Sequence, residues 1–278
     1  MSAISPEQAE AAAKLVTLPR SAVELARAFR AAGFRLALVG GPVRDALLGR
    51  SGNDLDFTTD ARPDDSMRIL KSWTNATWDT GIVYGTVAGK KGEITAEITT
   101  FRKDFYSRDS RKPVVEFGDS LEGDLRRRDF TVNAMALEIG ETGNVFVDPF
   151  GGLRDLVAKK LKTPISAEEL FTEDPLRMMR AARFSAQLGF DVDPEIIEAI
   201  TKLNERLTII SAERIREEFV KTIMSANPRR GLKLLVDTGL SEYFLPELPL
   251  LRLEIDEHHR HKDVYELSLI HISEPTRR

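Results

Sequence analysis

The chain of 278 residues, 42% hydrophobic and 30% charged, has the composition of a folded globular protein and is long enough for one large domain or two smaller ones. No stretch is long and apolar enough for a transmembrane helix, and the absence of cysteine excludes disulfides and thiolate metal sites and agrees with a reducing cytoplasm. A formal charge of -4 argues mildly against nucleic-acid binding, although whole-chain charge describes solubility better than local recognition.

The Ala-rich opening carries Glu7, Glu10 and Lys14, so it reads as a helix or a frayed end and lacks a signal-peptide pattern. Leu36-Ala37-Leu38-Val39 reads as a buried strand running into Gly40-Gly41-Pro42-Val43-Arg44-Asp45-Ala46-Leu47-Leu48-Gly49. The paired glycines let backbone approach a ligand closely, Pro42 suits the first helical position and Gly49 the stop. Free amides at such a helix start attract phosphate, and Arg44 adds a planar donor for phosphate oxygens. Next comes Asn53-Asp54-Leu55-Asp56-Phe57, where strand alternation puts Asp54 and Asp56 on one face, able to share a divalent cation. Taken alone, the glycines are also an ordinary turn, and the carboxylates the wet face of a strand.

Period-two alternation over Glu93–Phe101 puts Ile94, Ala96 and Ile98 on one face and Thr95, Glu97 and Thr99 on the other. Glu97 is therefore a candidate third carboxylate, with an exposed strand residue as the plainer reading. Magnesium takes hard oxygen ligands and keeps several waters, so two or three carboxylates with substrate phosphates suffice to hold it. With two ions, one activates an attacking hydroxyl and the other stabilises leaving pyrophosphate. From Phe101 to Lys112 five Lys or Arg stand against two Asp, and Arg126, Arg127 and Arg128 extend a positive strip suited to nucleic-acid phosphates. Where that basic cluster runs into an apolar segment, Arg128, Asp129 and Asn133 are candidate ligands for a ribose and phosphates.

Past about Phe150 the pattern turns almost wholly helical, with helices expected near 166–189, 194–204, 211–225 and 228–239. Within Phe171–Phe184, read as one helix, Asp174, Arg177, Arg180 and Arg183 recur every three residues and wind slowly round one side. Asp174 accepts and Arg177 donates, so together they can match the edge of a base, while an exposed arginine-rich face is the plainer reading.

Together these segments resemble the bacterial class II tRNA nucleotidyltransferases, or CCA-adding enzymes, and the related bacterial poly(A) polymerases of the polymerase β superfamily. The resemblance covers roughly residues 15 to 265 and rests on Gly-Gly-x-Val-Arg-Asp with Asp-x-Asp, Arg-Arg-Asp-Phe-Thr-x-Asn-Ala, Asp148-Pro149-Phe150-Gly151-Gly152 and Glu-Asp-x-x-Arg-x-x-Arg, in the family's order. It implies an α+β fold: a nucleotidyltransferase head of mixed sheet and helices over 15–150, an all-helical neck and partial body over 151–250, and the start of a further domain with an unplaced tail over 251–278. It implies that Asp54 and Asp56 hold catalytic magnesium, that Gly41 and Arg44 hold the triphosphate, and that Arg128, Asp129 and Asn133 govern sugar and phosphates. Asp174 and Arg177 would be the amino-acid template reading CTP or ATP, assisted by Arg180 and Arg183, and the acceptor would be the tRNA 3′ end.

By the same resemblance, Asp148 to Arg154 is a hinge, Ala212 to Glu218 a stabilising neck helix, and 102–116 a flexible loop associated with the switch from C to A addition. Asp256 to Glu266, with His258, His259 and His261, looks like the entry to a metal domain cut short, and 267–278 has no placed similarity. Poly(A) synthesis, a small-molecule nucleotidyltransferase and a non-catalytic RNA-binding fragment are the alternatives. The first is distinguished by refusal of CTP, the second by lack of the Asp174–Arg177 reader and basic loop, and the third by tolerance of losing Asp54 and Asp56.

Overall fold

Four buried residues, Leu36–Val39 (β1), form an inner strand of a mixed sheet, and the helices around it follow from apolar spacing and caps. The computed structural model describes residues 5–105, 114–118 and 120–250. Ahead of β1 lie two helices, α1 (Pro6–Leu15) and α2 (Arg20–Ala31). Ser5 and Gln8 make a reciprocal capping box that starts α1, so the Ala-rich opening is a capped helix. Ala22, Leu25, Ala26 and Phe29 form the buried stripe of α2.

The chain continues through α3 (Gly41–Leu47), β2 (Asp54–Thr59), α4 (Pro63–Trp73), β3 (Ala76–Trp78), β4 (Thr86–Lys91) and β5 (Ile94–Thr100). A hairpin of β6 (Arg102–Phe105) and β7 (Val114–Phe117) follows, then α5 (Leu121–Arg126), β8 (Ala136–Ile139) and β9 (Asn144–Val147). The seven-stranded sheet has the order β3-β4-β5-β2-β1-β8-β9, with β2 and β5 its parallel neighbours and the other pairs antiparallel. Helix α4 packs on one face, where a Cβ on Gly89 would stand 3.2 Å from the Leu70 side chain. On the other face Ala37, Val39, Ala134 and Ala136 join Phe101, Leu121 and Leu125 in one buried cluster.

Helical structure follows: α6 (Gly152–Val157), α7 (Ala167–Glu173), α8 (Leu176–Leu188), α9 (Pro194–Leu203), α10 (Ala212–Ile223), α11 (Pro228–Asp237) and α12 (Glu247–Leu250). A two-residue parallel pair, β10 (Lys160–Leu161) with β11 (Asp191–Val192), interrupts the helices and is too short to show as a period in the sequence. The chain divides into two compact units, residues 5–105 with 114–156 and residues 157–250 among those described.

One expectation needs correction: Phe171–Phe184 is not one helix. Asp174 is extended, at φ −135° and ψ 99°, and lies between α7 and α8. Pro175 is the cause, because its ring disfavours helical geometry in the residue before it. The row that winds along the helix therefore begins at Arg177, with Asp174 outside it. Residues 106–113 of the expected loop and the cluster of His258, His259 and His261 lie outside the described residues.

Candidate active site

Strand β2 alternates as its sequence requires, with Leu55 and Phe57 buried and Asp54 and Asp56 exposed on the opposite face. Parallel pairing with β5 sets Asp56 beside Glu97 and Asp54 beside Thr95. Partial loss of water around Glu97, followed by the charges of Asp56 and then Asp54, pushes its carboxyl above the ordinary range. Glu97 thus feels the charge of both aspartates. Among the described residues, however, no three His, Cys, Asp or Glu side chains converge into a ready-made metal cage. Asp54 stands opposite Thr95 rather than Glu97, so Glu97 flanks the Asp pair without closing a triad. Two exposed hard-oxygen donors on one face fit a divalent ion that takes its remaining ligands from water and phosphate.

Antiparallel pairing of β1 with β2 brings the turn after Val39 towards this end of β2. Gly40 caps α3 at φ 72° and ψ −135°, a conformation that residues with a Cβ avoid. A Cβ there would also stand 2.8 Å from Nη1 of Arg128, so the guanidinium lies directly over the turn. Gly40→Ala is expected to destabilise the fold by about 1–3 kcal/mol and to displace Arg128. Denaturant unfolding reads the first effect, and weakened binding of inorganic triphosphate the second.

The structure surrounds Arg44, Asp129 and Asn133 with protein partners. Arg44 is buried, donates through Nε and Nη2 to the two carboxylate oxygens of Asp45, and donates through Nη1 to Oδ1 of Asn133 at 2.6 Å. Asn133 donates in turn to Asp129, whose same oxygen accepts the Phe130 amide. These residues form a relay behind the glycine turn that fixes its neighbours, whereas Arg128 is the guanidinium brought over the turn itself. Gly41 opens α3, 3.6 Å from Nη2 of Arg44 when given a Cβ.

Sequence reasoning missed Asp124, the residue that orients the arginines. Its buried carboxylate accepts from Arg127 Nη2 at 2.6 Å and Arg128 Nη2 at 3.2 Å. Burial opposes its charge, yet the guanidinium groups of Arg127 and Arg128 outweigh burial and hold its carboxyl below the ordinary range. The signal was present as spacing, since Asp124 precedes the two arginines by three and four residues. A depressed folded-state pKa contributes stability above the unfolded value and loses it as pH falls through the folded value. Asp124→Asn is thus expected to be less stable than the parent at pH 7, with the gap closing below about pH 4. Urea unfolding across that range checks it.

Behind this site Asp148 accepts the Gly152 amide at 2.7 Å and the Leu153 amide at 2.9 Å, and Thr131 donates to Asp155. Burial raises the Asp148 carboxyl against those amide bonds. Gly152 admits no side chain, for a Cβ would come within 2.2 Å of the Thr131 carbonyl.

In the second unit Asp174 accepts the Leu176 amide and faces Arg214 of α10 at 3.5 Å, so the neck helix holds a base-reading candidate. Arg177 is buried and donates to the Leu170 carbonyl and to Glu173. Arg183 is buried in an ion pair with Glu218 of α10 at 3.0 Å, and its guanidinium stacks over Phe184 at 4.3 Å. The half-buried Arg180 also lies over Phe184, at 5.4 Å. The row is therefore packed and paired, and the reading of an exposed arginine face does not hold.

The family model described as "Poly A polymerase head domain" matches residues 36–162, and that described as "Probable RNA and SrmB- binding site of polymerase A" matches 189–251. A CCA-adding enzyme of Lactobacillus gasseri is 43% identical over 233 residues, covering 82% of this chain and 57% of its own length. One from Enterococcus faecalis is 40% identical over 234 residues, with 83% and 56% covered. The chain spans just over half the length of these curated relatives. Among solved structures, a Bacillus stearothermophilus CCA-adding enzyme in complex with CTP aligns at a TM-score of 0.74 and 38% identity, covering 85% of this chain and 57% of that one. A tRNA nucleotidyltransferase complexed with a primer tRNA and an incoming ATP analog aligns at 0.68 and 27% identity, with 89% and 74% covered.

Proposed function

We propose that this chain, which belongs to the family of CCA-adding enzymes and poly(A) polymerases, carries the transfer machinery of an enzyme that adds C, C and A to the 3′ end of tRNA from CTP and ATP. The observation that carries this reading is the exposed Asp54–Asp56 pair at the sheet end where the Gly40 turn lies under Arg128. The head would span 15–150, the neck and partial body 151–250, and the remainder would begin a further domain, in a cytoplasmic enzyme. No helix among the described residues is long and apolar enough to cross a membrane.

Asp54 and Asp56 would hold magnesium, with Glu97 beside them, and the bound metal would supply Lewis acidity for the attacking hydroxyl and for the departing pyrophosphate. Arg128, held by Asp124, would take triphosphate oxygens over the glycine turn. Arg44, fixed by Asp45 and Asn133, would support that contact from behind, with Asp129 locking Asn133. The terminal hydroxyl of the acceptor attacks the α-phosphorus, the new phosphodiester forms, and the bond to pyrophosphate breaks. Asp174 and Arg177 would match the base edge, with Arg180 and Arg183 fixing the surrounding helix.

Poly(A) synthesis is the second reading, since the head matches a family model described as a poly(A) polymerase head domain. Pyrophosphate release with tRNA lacking its terminal CCA separates them. Release with CTP supports CCA addition, release with ATP alone supports poly(A) synthesis, and release with neither overturns transfer.

A further inference from the structure

The face of the sheet that carries the carboxylates continues for two more strands beyond them. Asp56 is in register with Glu97 on β5, Glu97 with Ala88 on β4, and Ala88 with Trp78 on β3. Residues in register on neighbouring strands project to the same side, so Asp56, Glu97, Ala88 and Trp78 form one row across the sheet. A parallel row runs Asp54, Thr95, Lys90, Ala76. Helix α4 lies on the other side, against Gly89.

This extension is chemically unlike the rest of the sheet. Trp78 is 40% exposed on the edge strand, Lys90 is exposed beside it, and Ala88 between Trp78 and Glu97 is buried and small. The other tryptophan, Trp73, shows what the packed alternative looks like: it is 6% exposed and its indole N–H donates to the Ser21 carbonyl. Trp78 leaves far more of its ring to solvent than Trp73 does, and an aromatic face near an exposed lysine makes a surface for a flat, anionic polymer. At about 4.8 Å per strand, its backbone lies roughly 14 Å from that of Asp56. That is the reach of two or three nucleotides from a hydroxyl poised at the carboxylates.

We propose that Trp78 and Lys90 form an acceptor platform, on which a base just upstream of the RNA 3′ end stacks on the indole while Lys90 takes a backbone phosphate. The occupant is the single-stranded 3′ end of an RNA acceptor, because the platform is continuous with the row where that end must react. Stacking on a tryptophan tolerates every base, which suits an enzyme whose acceptor end changes with each addition. The inference rests on the transfer reading above and specifies how the acceptor is held.

The chain has two tryptophans, and only Trp78 is open, so intrinsic fluorescence reports on the platform directly. The probe is a single-stranded oligoribonucleotide of about eight nucleotides, within the usual span of such sites. Its addition is expected to quench the wild-type signal and to leave that of Trp78→Leu unchanged. In incorporation assays Trp78→Leu is expected to raise the acceptor KM about tenfold at unchanged CTP KM, and Trp78→Phe to restore most of the loss. Lys90→Ala is expected to lower the slope of log affinity against log salt by about 0.7. An unchanged acceptor KM in Trp78→Leu, from protein that incorporates CTP, would overturn the platform and leave the transfer reading standing. A wild-type chain that binds CTP and incorporates none would overturn both.

Discussion

Replacing Asp54 or Asp56 by alanine is expected to cut nucleotide incorporation by at least about a thousand-fold, or ~4 kcal/mol of transition-state stabilisation, with the unfolding midpoint almost unmoved. Both side chains are exposed, and the burial that holds β2 in the sheet comes from Leu55 and Phe57 between and beyond them. On the transfer reading the two carboxylates serve charge placement, while the burial of Leu55 and Phe57 serves the fold. Leu55→Ala should behave in the opposite way, costing about 2–5 kcal/mol of stability and affecting activity through folding. Loss of Asp56 also removes the larger of the two charges that raise the Glu97 carboxyl, so that group should titrate at lower pH in Asp56→Ala. Single-turnover incorporation alongside denaturant unfolding separates these effects.

Glu218→Ala is expected to destabilise the second unit by about 3–5 kcal/mol, among the largest losses available to one substitution outside the core. Glu218 and Arg183 are both buried and meet at 3.0 Å between α10 and α8. Truncating the carboxylate removes the charge that α10 sets against a buried guanidinium and that offsets its desolvation. The pairwise replacement Arg183→Met with Glu218→Leu removes both charges and is expected to recover most of the stability. This second variant also assigns Arg183 a role. If Arg183 only braces α8, the paired replacement keeps its choice between CTP and ATP; if it touches the nucleotide, that choice changes while the fold stays intact.

Period and punctuation made the first half of this site legible. Alternation in β2 and β5 placed the carboxylates, because strand side chains have no freedom to choose another face. The glycine turn declared α3, because only glycine enters the conformation at Gly40. The broken helix was also written locally, in Asp174-Pro175, but the arginine spacing on either side was a stronger pattern than one proline. What sequence could not reveal was partnership at long range. Asn133 meets Arg44 from 89 positions away and Glu218 meets Arg183 from 35, distances that only the fold closes. Those contacts surround Arg44 and Arg183 with protein partners, and no local spacing announces them. Trp78 was invisible for the same reason: nothing links it to Asp56 until three strand registers are in hand.

The most direct test is to sequence the 3′ ends of tRNA lacking its terminal CCA after incubation with this chain, magnesium, CTP and ATP. The account predicts ends extended by C, C and A, and none in Asp54→Ala/Asp56→Ala. Ends extended by A alone, or extension that survives the double replacement, would contradict it.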